Sequence, residues 1–152
     1  MQANYKKLVN NTKETVTEFI QKISKNNNKV DVKLFKIDNT TKVVNNLPSN
    51  QGFDTFKQFK KEFGSAGDGR EWHHIVEQSQ IKKSGFSPQS IHNTSNMISL
   101  DKSTHRKITG FYNKTTLPFT AGSSVRNWLA NKSFEEQFEF GTNILKELGV
   151  IK

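Results

Sequence analysis

The sequence predicts a single α+β domain. Three observations carry that prediction: short strand-like runs alternate with helix-like ones, apolar residues recur at helical spacing near both ends, and neither a repeat nor a clear linker interrupts the chain. At 152 residues the chain is long enough to bury a real core. Its apolar fraction is only 32%, so the twelve phenylalanines must supply much of the buried area.

Leu8, Val9, Val16, Phe19, Ile20 and Ile23 follow the spacing of an amphipathic helix, which KNNNK ends. VDVKLFKI, residues 30 to 37, alternates as a strand does, and DNTT offers a turn into KVV. Residues 1 to 44 thus form an N-terminal helix and strand element with no assignable motif. LPSNQG reads as a loop. Phe53, Phe56, Phe59 and Phe63 then share one face of a short helix that stops at Gly64, a stripe suited to the core. GSAGDGR is a flexible approach to His73 and His74; it lacks the lysine and the preceding strand of a phosphate loop. EWHHIV reads as a short strand, GFSP as a turn and NMISL as a second strand. DKSTHRKITGFYN has helix character, with Asp101 or Ser103 as its cap. SSVRNWLAN is a short helix with Trp128 and Leu129 inward. SFEEQFEFGTNILKELG opens with Ser133 and Glu136 at capping-box spacing and closes at Gly149, with Phe134, Phe138, Leu145 and Leu148 expected on the core.

Lys and Arg number 23 against 14 Asp and Glu, a formal charge of +9 that favours polyanionic partners: nucleic acid, an acidic membrane surface or an acidic protein. The absence of cysteine excludes disulfides, zinc knuckles and cysteine nucleophiles. No run approaches the roughly twenty apolar residues of a membrane span. MQANYKKLVNNTKETV lacks the apolar stretch of a secretory signal, so a secreted role implies delivery as part of something larger.

All four histidines, His73, His74, His92 and His105, fall between residues 73 and 105, a window that also holds Asn93 and Asn96. On a regular strand His73 and His74 point to opposite faces, so they converge only at an irregular strand end, or else one packs inward while the other works. Adjacency allows a division of labour. One imidazole ligates a divalent cation, and its neighbour takes a proton from water. The spacing NMISLDKSTH, from Asn96 to His105, adds a second feature. It matches the later part of the HNH pattern, with an Asn opening the second strand and a His in the following helix. Such an Asn can bond backbone across the loop and fix the base, and the helical His reaches back to the metal.

AGDGREWHHIVEQ, IHNTSNMISLDKSTHRKITGFYN and SSVRNWLANKSFEEQFEFG together resemble the C-terminal nuclease domains of bacterial polymorphic toxins. These belong to the HNH and endonuclease VII (His-Me finger) superfamily and sit at the tips of Rhs, contact-dependent and LXG-type toxins. The resemblance spans about residues 45 to 149. It implies a ββα-metal core with additional N- and C-terminal helices, and an endonuclease neutralised by a cognate immunity protein. Carried over by position, His73 and His105 are the metal ligands, and His74 with Asn96 makes the catalytic pair of general base and hairpin Asn. The cofactor implied is one divalent ion, Mg, Mn, Ni or Zn. Many relatives have a further ligand four residues beyond the helical His; here that position is Thr109.

Arg106, Lys107 and Arg126 are candidate phosphate contacts. Glu71 and Glu77 flank the His pair and can orient an imidazole, while His92 and Asn93 suit structural bonds in the intervening loop. The leading expectation is a metal-dependent endonuclease acting on DNA. The alternative is an RNase whose histidines serve as base and acid at the RNA 2′-hydroxyl, with no need of a metal. A non-catalytic basic nucleic-acid-binding module is the third. The expected protein is a monomer with an acidic immunity partner and no membrane partner, secreted as the tip of a larger toxin and active in the cytoplasm of a target bacterium.

Overall fold

The computed structural model describes residues 47, 48 and 50–152. The helix and strand expected within residues 1 to 44 lie outside the described residues. Contacts divide the chain into two compact units; Lys42–Asn143 is the one that concerns the site, and Ile144–Lys152 falls in the other. The described fold is α+β, short helices around one two-stranded antiparallel sheet.

Helix α1 spans Phe56–Phe63. Thr55 caps it through a reciprocal box with Gln58, and Gly64, at φ 73°, ends it where a side chain would be strained. Phe53 lies outside the helix, yet its ring packs edge-on at 5.7 Å against both Phe59 and Phe63. The stripe expected from spacing therefore includes a residue delivered by the approach to the helix.

Strand β1 (Arg70–His74) pairs antiparallel with β2 (Met97–Asp101), setting His73 opposite Ile98 and Glu71 opposite Leu100. The connection is longer than a hairpin turn and carries structure of its own. Two one-turn helices, α2 (Gln80–Lys83) and α3 (Pro88–Ile91), precede a 3-10 turn at Thr94–Asn96. Ser87 caps α3 and Pro88 starts it, so the expected turn at GFSP becomes a helix entry. β2 passes without a loop into α4 (Lys102–Tyr112), because Asp101 is both the last strand residue and the cap. Its carboxylate accepts the Thr104 N–H at 2.9 Å and the Thr104 hydroxyl at 2.6 Å, which leaves Ser103 inside the helix.

Strand alternation divides the sheet between two layers. Trp72 and His74 face α1, where their rings lie 5.2 Å from Phe59 and 4.9 Å from Phe56. Glu71 and His73 face the other way, toward α4, together with their register partners Leu100 and Ile98. The two leucine and isoleucine side chains are buried, as is Ile108 of α4.

Helix α5 (Val125–Leu129) is capped by Ser124, and α6 (Phe134–Glu147) opens with the expected reciprocal Ser133–Glu136 bonds. Leu129 is buried while Trp128 is half-buried, with Lys132 Nζ over its ring. Leu145 is buried as expected, but Phe134 and Phe138 are half-buried and stack on each other. Gln137 and Phe140 hold the buried positions instead. A glutamine can do so because its amide reaches Leu129 O at 2.8 Å, Ser84 Oγ at 3.0 Å and Lys132 O at 3.1 Å, so it is not left unpaired. Gly141 brings α6 against the exit of β1: a Cβ there would sit 2.5 Å from Ile75 O. Among the described residues no helix is long and apolar enough to cross a membrane.

Candidate functional site

The four histidines form two pairs, one on each face of β1. On the α4 side, the His73 and His105 rings meet at a centroid distance of 5.3 Å, nearly perpendicular. His105 comes from the first turns of α4 and reaches back over the strand. Its Nδ1 lies 2.6 Å from Glu71 Oε2. Glu71 and His73 are two positions apart on β1 and therefore share this face. His73 is buried, whereas the Glu71–His105 contact sits at the rim of the cluster, with His105 28% and Glu71 41% exposed. When His105 donates its Nδ1–H to the carboxylate, Nε2 is the ring nitrogen left for another partner.

On the α1 side, His74 Nε2 stands 3.0 Å from His92 Nδ1, and both residues are buried. Phe56 packs on both rings, at 4.9 Å from His74 and 6.1 Å from His92. His92 is placed by the end of α3, where its N–H bonds Pro88 O at 2.7 Å. β1 is thus regular through His74, and the adjacent imidazoles do not share a face.

Burial sets the charge state of these rings. It pushes His73 down to about 3, aided by the neighbouring His105 charge. It pushes His74 down to about 3 as well, aided by His92, His73 and His105 in turn. His92 is lowered by burial. At neutral pH all three are neutral, each with one lone-pair nitrogen and one N–H.

Asn96 is fully buried at the end of the 3-10 turn, just before β2, and its side chain hydrogen-bonds to main chain. Its Oδ1 accepts the Val76 N–H at 2.8 Å, and its Nδ2 donates to Val76 O at 3.0 Å and Ile91 O at 2.8 Å. The side chain ties the exit of β1 to the end of α3, and through them positions both His74 and His92. Asn93 fastens the loop: it caps the 3-10 turn by accepting the Ser95 N–H at 3.0 Å and donates to Asn50 at 3.2 Å.

The candidate phosphate contacts differ among themselves. Arg106 and Lys107 are exposed on α4 beside His105 and make no ion pair among the described residues. Arg126 is committed within the fold. It grips Glu77 through two bonds of 2.8 and 2.6 Å and donates to Asn113 Oδ1 at 2.6 Å. That hydrogen bonding raises the guanidinium above its already high range. Of the two flanking carboxylates, Glu71 meets an imidazole and Glu77 meets Arg126. Thr109, in the position of the further ligand, donates its hydroxyl to His105 O at 3.0 Å.

Two residues of this cluster escaped sequence reasoning as partners, His92 and Phe56. Both reach His74 through tertiary packing, and only the Phe spacing of α1 hinted at one of them. Among the described residues there is no group of three or more His, Cys, Asp or Glu side chains arranged to hold a metal ion. No protein-family model, curated protein or solved structure matches this chain.

Proposed function

We propose that the domain is an endonuclease of the HNH type, hydrolysing phosphodiester bonds of nucleic acid, with DNA the favoured substrate. The observation that carries the reading is the Glu71–His105–His73 cluster where an antiparallel strand pair runs directly into a helix. Strand, strand and helix in this order are the ingredients of a ββα-metal core, and that finer description of the fold belongs to the same proposal.

The donor set fits a weakly held divalent cation. His73 and His105, whose rings stand 5.3 Å apart, are the two residues that would hold such a cation. His73 is neutral and His105 is backed by a carboxylate, the arrangement that orients a ligating histidine. Two protein ligands leave the remaining positions to water and substrate oxygens. A divalent cation so held supplies charge neutralisation at the scissile phosphate and its leaving oxygen. The attacking water gives up its proton as its oxygen bonds to phosphorus and the leaving oxygen departs; His74, the base that the resemblance implies, lies on the opposite face of β1 against Phe56 and His92 and would have to reach that water around the end of the strand. Arg106 and Lys107 hold the polyanion beside the site. The +9 charge and the lack of any cysteine agree with a toxin tip that meets nucleic acid in a target cytoplasm and is blocked by an acidic immunity protein.

The test is cleavage of supercoiled plasmid and of total RNA by wild type, His74→Ala and His105→Ala, with EDTA and then with magnesium, manganese, nickel or zinc restored. Metal-dependent plasmid nicking lost in both variants is the expected result; intact plasmid and RNA under every condition would sink the proposal.

One observation favours a second reading. A carboxylate-backed imidazole beside a neutral one is also an acid and base couple. On RNA, His105 Nε2 would take the 2′-hydroxyl proton as that oxygen bonds to phosphorus, and the departing 5′-oxygen would take a proton from the partner imidazole, a role burial of His73 opposes by favouring its neutral form. RNA cleavage that survives EDTA and spares 2′-deoxy substrate would select it.

A further inference from the structure

The lysines of α1 take no part in either histidine pair. Lys57, Lys60 and Lys61 are all exposed, and spacings of three and four positions set them on one flank of the helix. Glu62, the only acid of α1, follows Lys61 directly and so does not face it. Among the described residues neither ion pair involves these lysines, and the nearby Asp54 carboxylate accepts a hydrogen bond from Gln89. The flank stands on a fixed base. Thr55 and Gln58 close the first turn, Phe59 is fully buried beneath it, and Lys60 Nζ lies 4.8 Å over the Phe56 ring.

Helix stability does not account for this pattern. Lys60 and Lys61 suit the last turn, where the dipole favours cations, but Lys57 lies in the first turn, where it does not. Lys57 also meets Lys60 and Lys61 as like-charged neighbours, which costs stability again. An anion laid along the flank relieves both costs. The cores of protein interfaces are depleted in lysine and anchored by aromatic or apolar groups, whereas lysines alone suffice to neutralise a phosphate backbone. The one ring beside the flank, Phe56, is already engaged by Lys60, His74 and His92. The flank therefore offers charge rather than a stacking platform for bases.

We propose that the Lys57, Lys60 and Lys61 flank of α1 is a contact surface for the phosphate backbone of nucleic acid, additional to Arg106 and Lys107 and indifferent to sequence. The proposal rests on the reading that the domain acts on nucleic acid, and it names a second face that holds the substrate.

The test is the salt dependence of binding to labelled DNA duplexes in EDTA. Wild type is compared with Lys57→Gln/Lys61→Gln and with a charge-matched control, Lys82→Gln/Lys146→Gln, whose lysines are exposed on other helices. Gln is as good a helix former as Lys, so the three proteins should melt together. The α1 variant should lower the slope of log affinity against log salt by roughly two, and weaken binding roughly 10- to 100-fold at about 0.1 M salt. The loss should be the same for A·T-rich and G·C-rich duplexes, and the control should stay within about threefold of wild type. Equal losses in the two variants would show net charge acting in place of the flank, which overturns the proposal and leaves the nuclease reading standing. Polyglutamate is the second probe. If it binds as tightly as duplex at equal ionic strength, with the same loss in the α1 variant, the flank serves an acidic protein and the assignment to nucleic acid is overturned. If wild type binds no duplex, the nucleic-acid reading itself falls, and the proposal with it.

Discussion

Asn96 shows how much one side chain can hold in place. Three main-chain bonds converge on its amide, and its own carbonyl accepts the Ile75 N–H at 2.9 Å. Asn96→Ala strands two buried carbonyls and one N–H, a loss of about 2–4 kcal/mol of stability that a denaturant titration will read. A change below about 0.5 kcal/mol would mean that water replaces the amide and that this residue does not pin the loop. Glu71 should behave in the opposite way. Its contact with His105 is largely solvated, with 28% and 41% of the two side chains exposed, so its removal costs little stability. Its value lies in fixing His105. Glu71→Leu should leave the melting temperature within a degree or two while lowering kcat roughly 10- to 100-fold, and Glu71→Gln, which still accepts the Nδ1–H, should lose less. Equal activity in Glu71→Leu and wild type would remove Glu71 from the site.

At the scale of elements, what sequence could reveal depended on how local the deciding interaction is. The opposed directions of His73 and His74, and the shared face of Glu71 and His73, follow from strand alternation alone. The Asp101 and Ser133 caps are settled within four residues; the Ser133–Glu136 box was legible outright, and Asp101 as one of two candidate caps. The union of His74 with His92 was not, because it depends on the path of a connection that folds into two short helices rather than a turn. The Glu77–Arg126 grip spans 49 positions in sequence and was equally hidden. The inward face of α6 departs from its apolar spacing in part for a similar reason: the distant Ser84 and the nearer carbonyls of Leu129 and Lys132 satisfy the Gln137 amide, making it a core residue and leaving Phe134 and Phe138 at the edge. Helix α6 also braces the site, since Gly141 lets its backbone touch Ile75, the residue after His74. Gly141→Ala should therefore cost about 1–3 kcal/mol from overpacking, against about 1 kcal/mol gained in helix propensity. Gly110 of α4 is the control: a Cβ there meets nothing within 4 Å, so Gly110→Ala should stabilise by up to about 1 kcal/mol. Thermal melts in which both variants move the same way would contradict the close approach of α6.

The whole molecule combines a neutral, buried histidine core with a cationic exterior, and the two respond to different variables. His73 and His74 are both held near 3 when folded, against an ordinary value of 6.5 when unfolded. Between those limits the unfolded chain binds protons that the folded one refuses, so stability is full above about pH 7 and is lost as pH falls toward 3. The slope is up to about 1.4 kcal/mol per pH unit for each group. Melting temperatures should be flat from pH 7 to 8 and fall steeply between pH 6 and 4; a flat profile there would mean that these rings are not buried in solution. The exterior responds to salt. Exposed Arg106 and Lys107 lie next to His105, whereas the Arg126 guanidinium is held by Glu77 and Asn113. If the first two contact phosphates, the affinity of a cleavage-deficient His105→Ala protein for a labelled duplex should fall as salt rises. Each of Arg106→Gln and Lys107→Gln should then reduce the slope of log affinity against log salt by roughly one. Arg126→Gln should act differently, lowering the melting temperature because it leaves the Glu77 carboxylate, only 15% exposed, without its partner. A salt slope unchanged in all three variants would move the polyanion surface away from α4, toward the lysines of α1 or beyond.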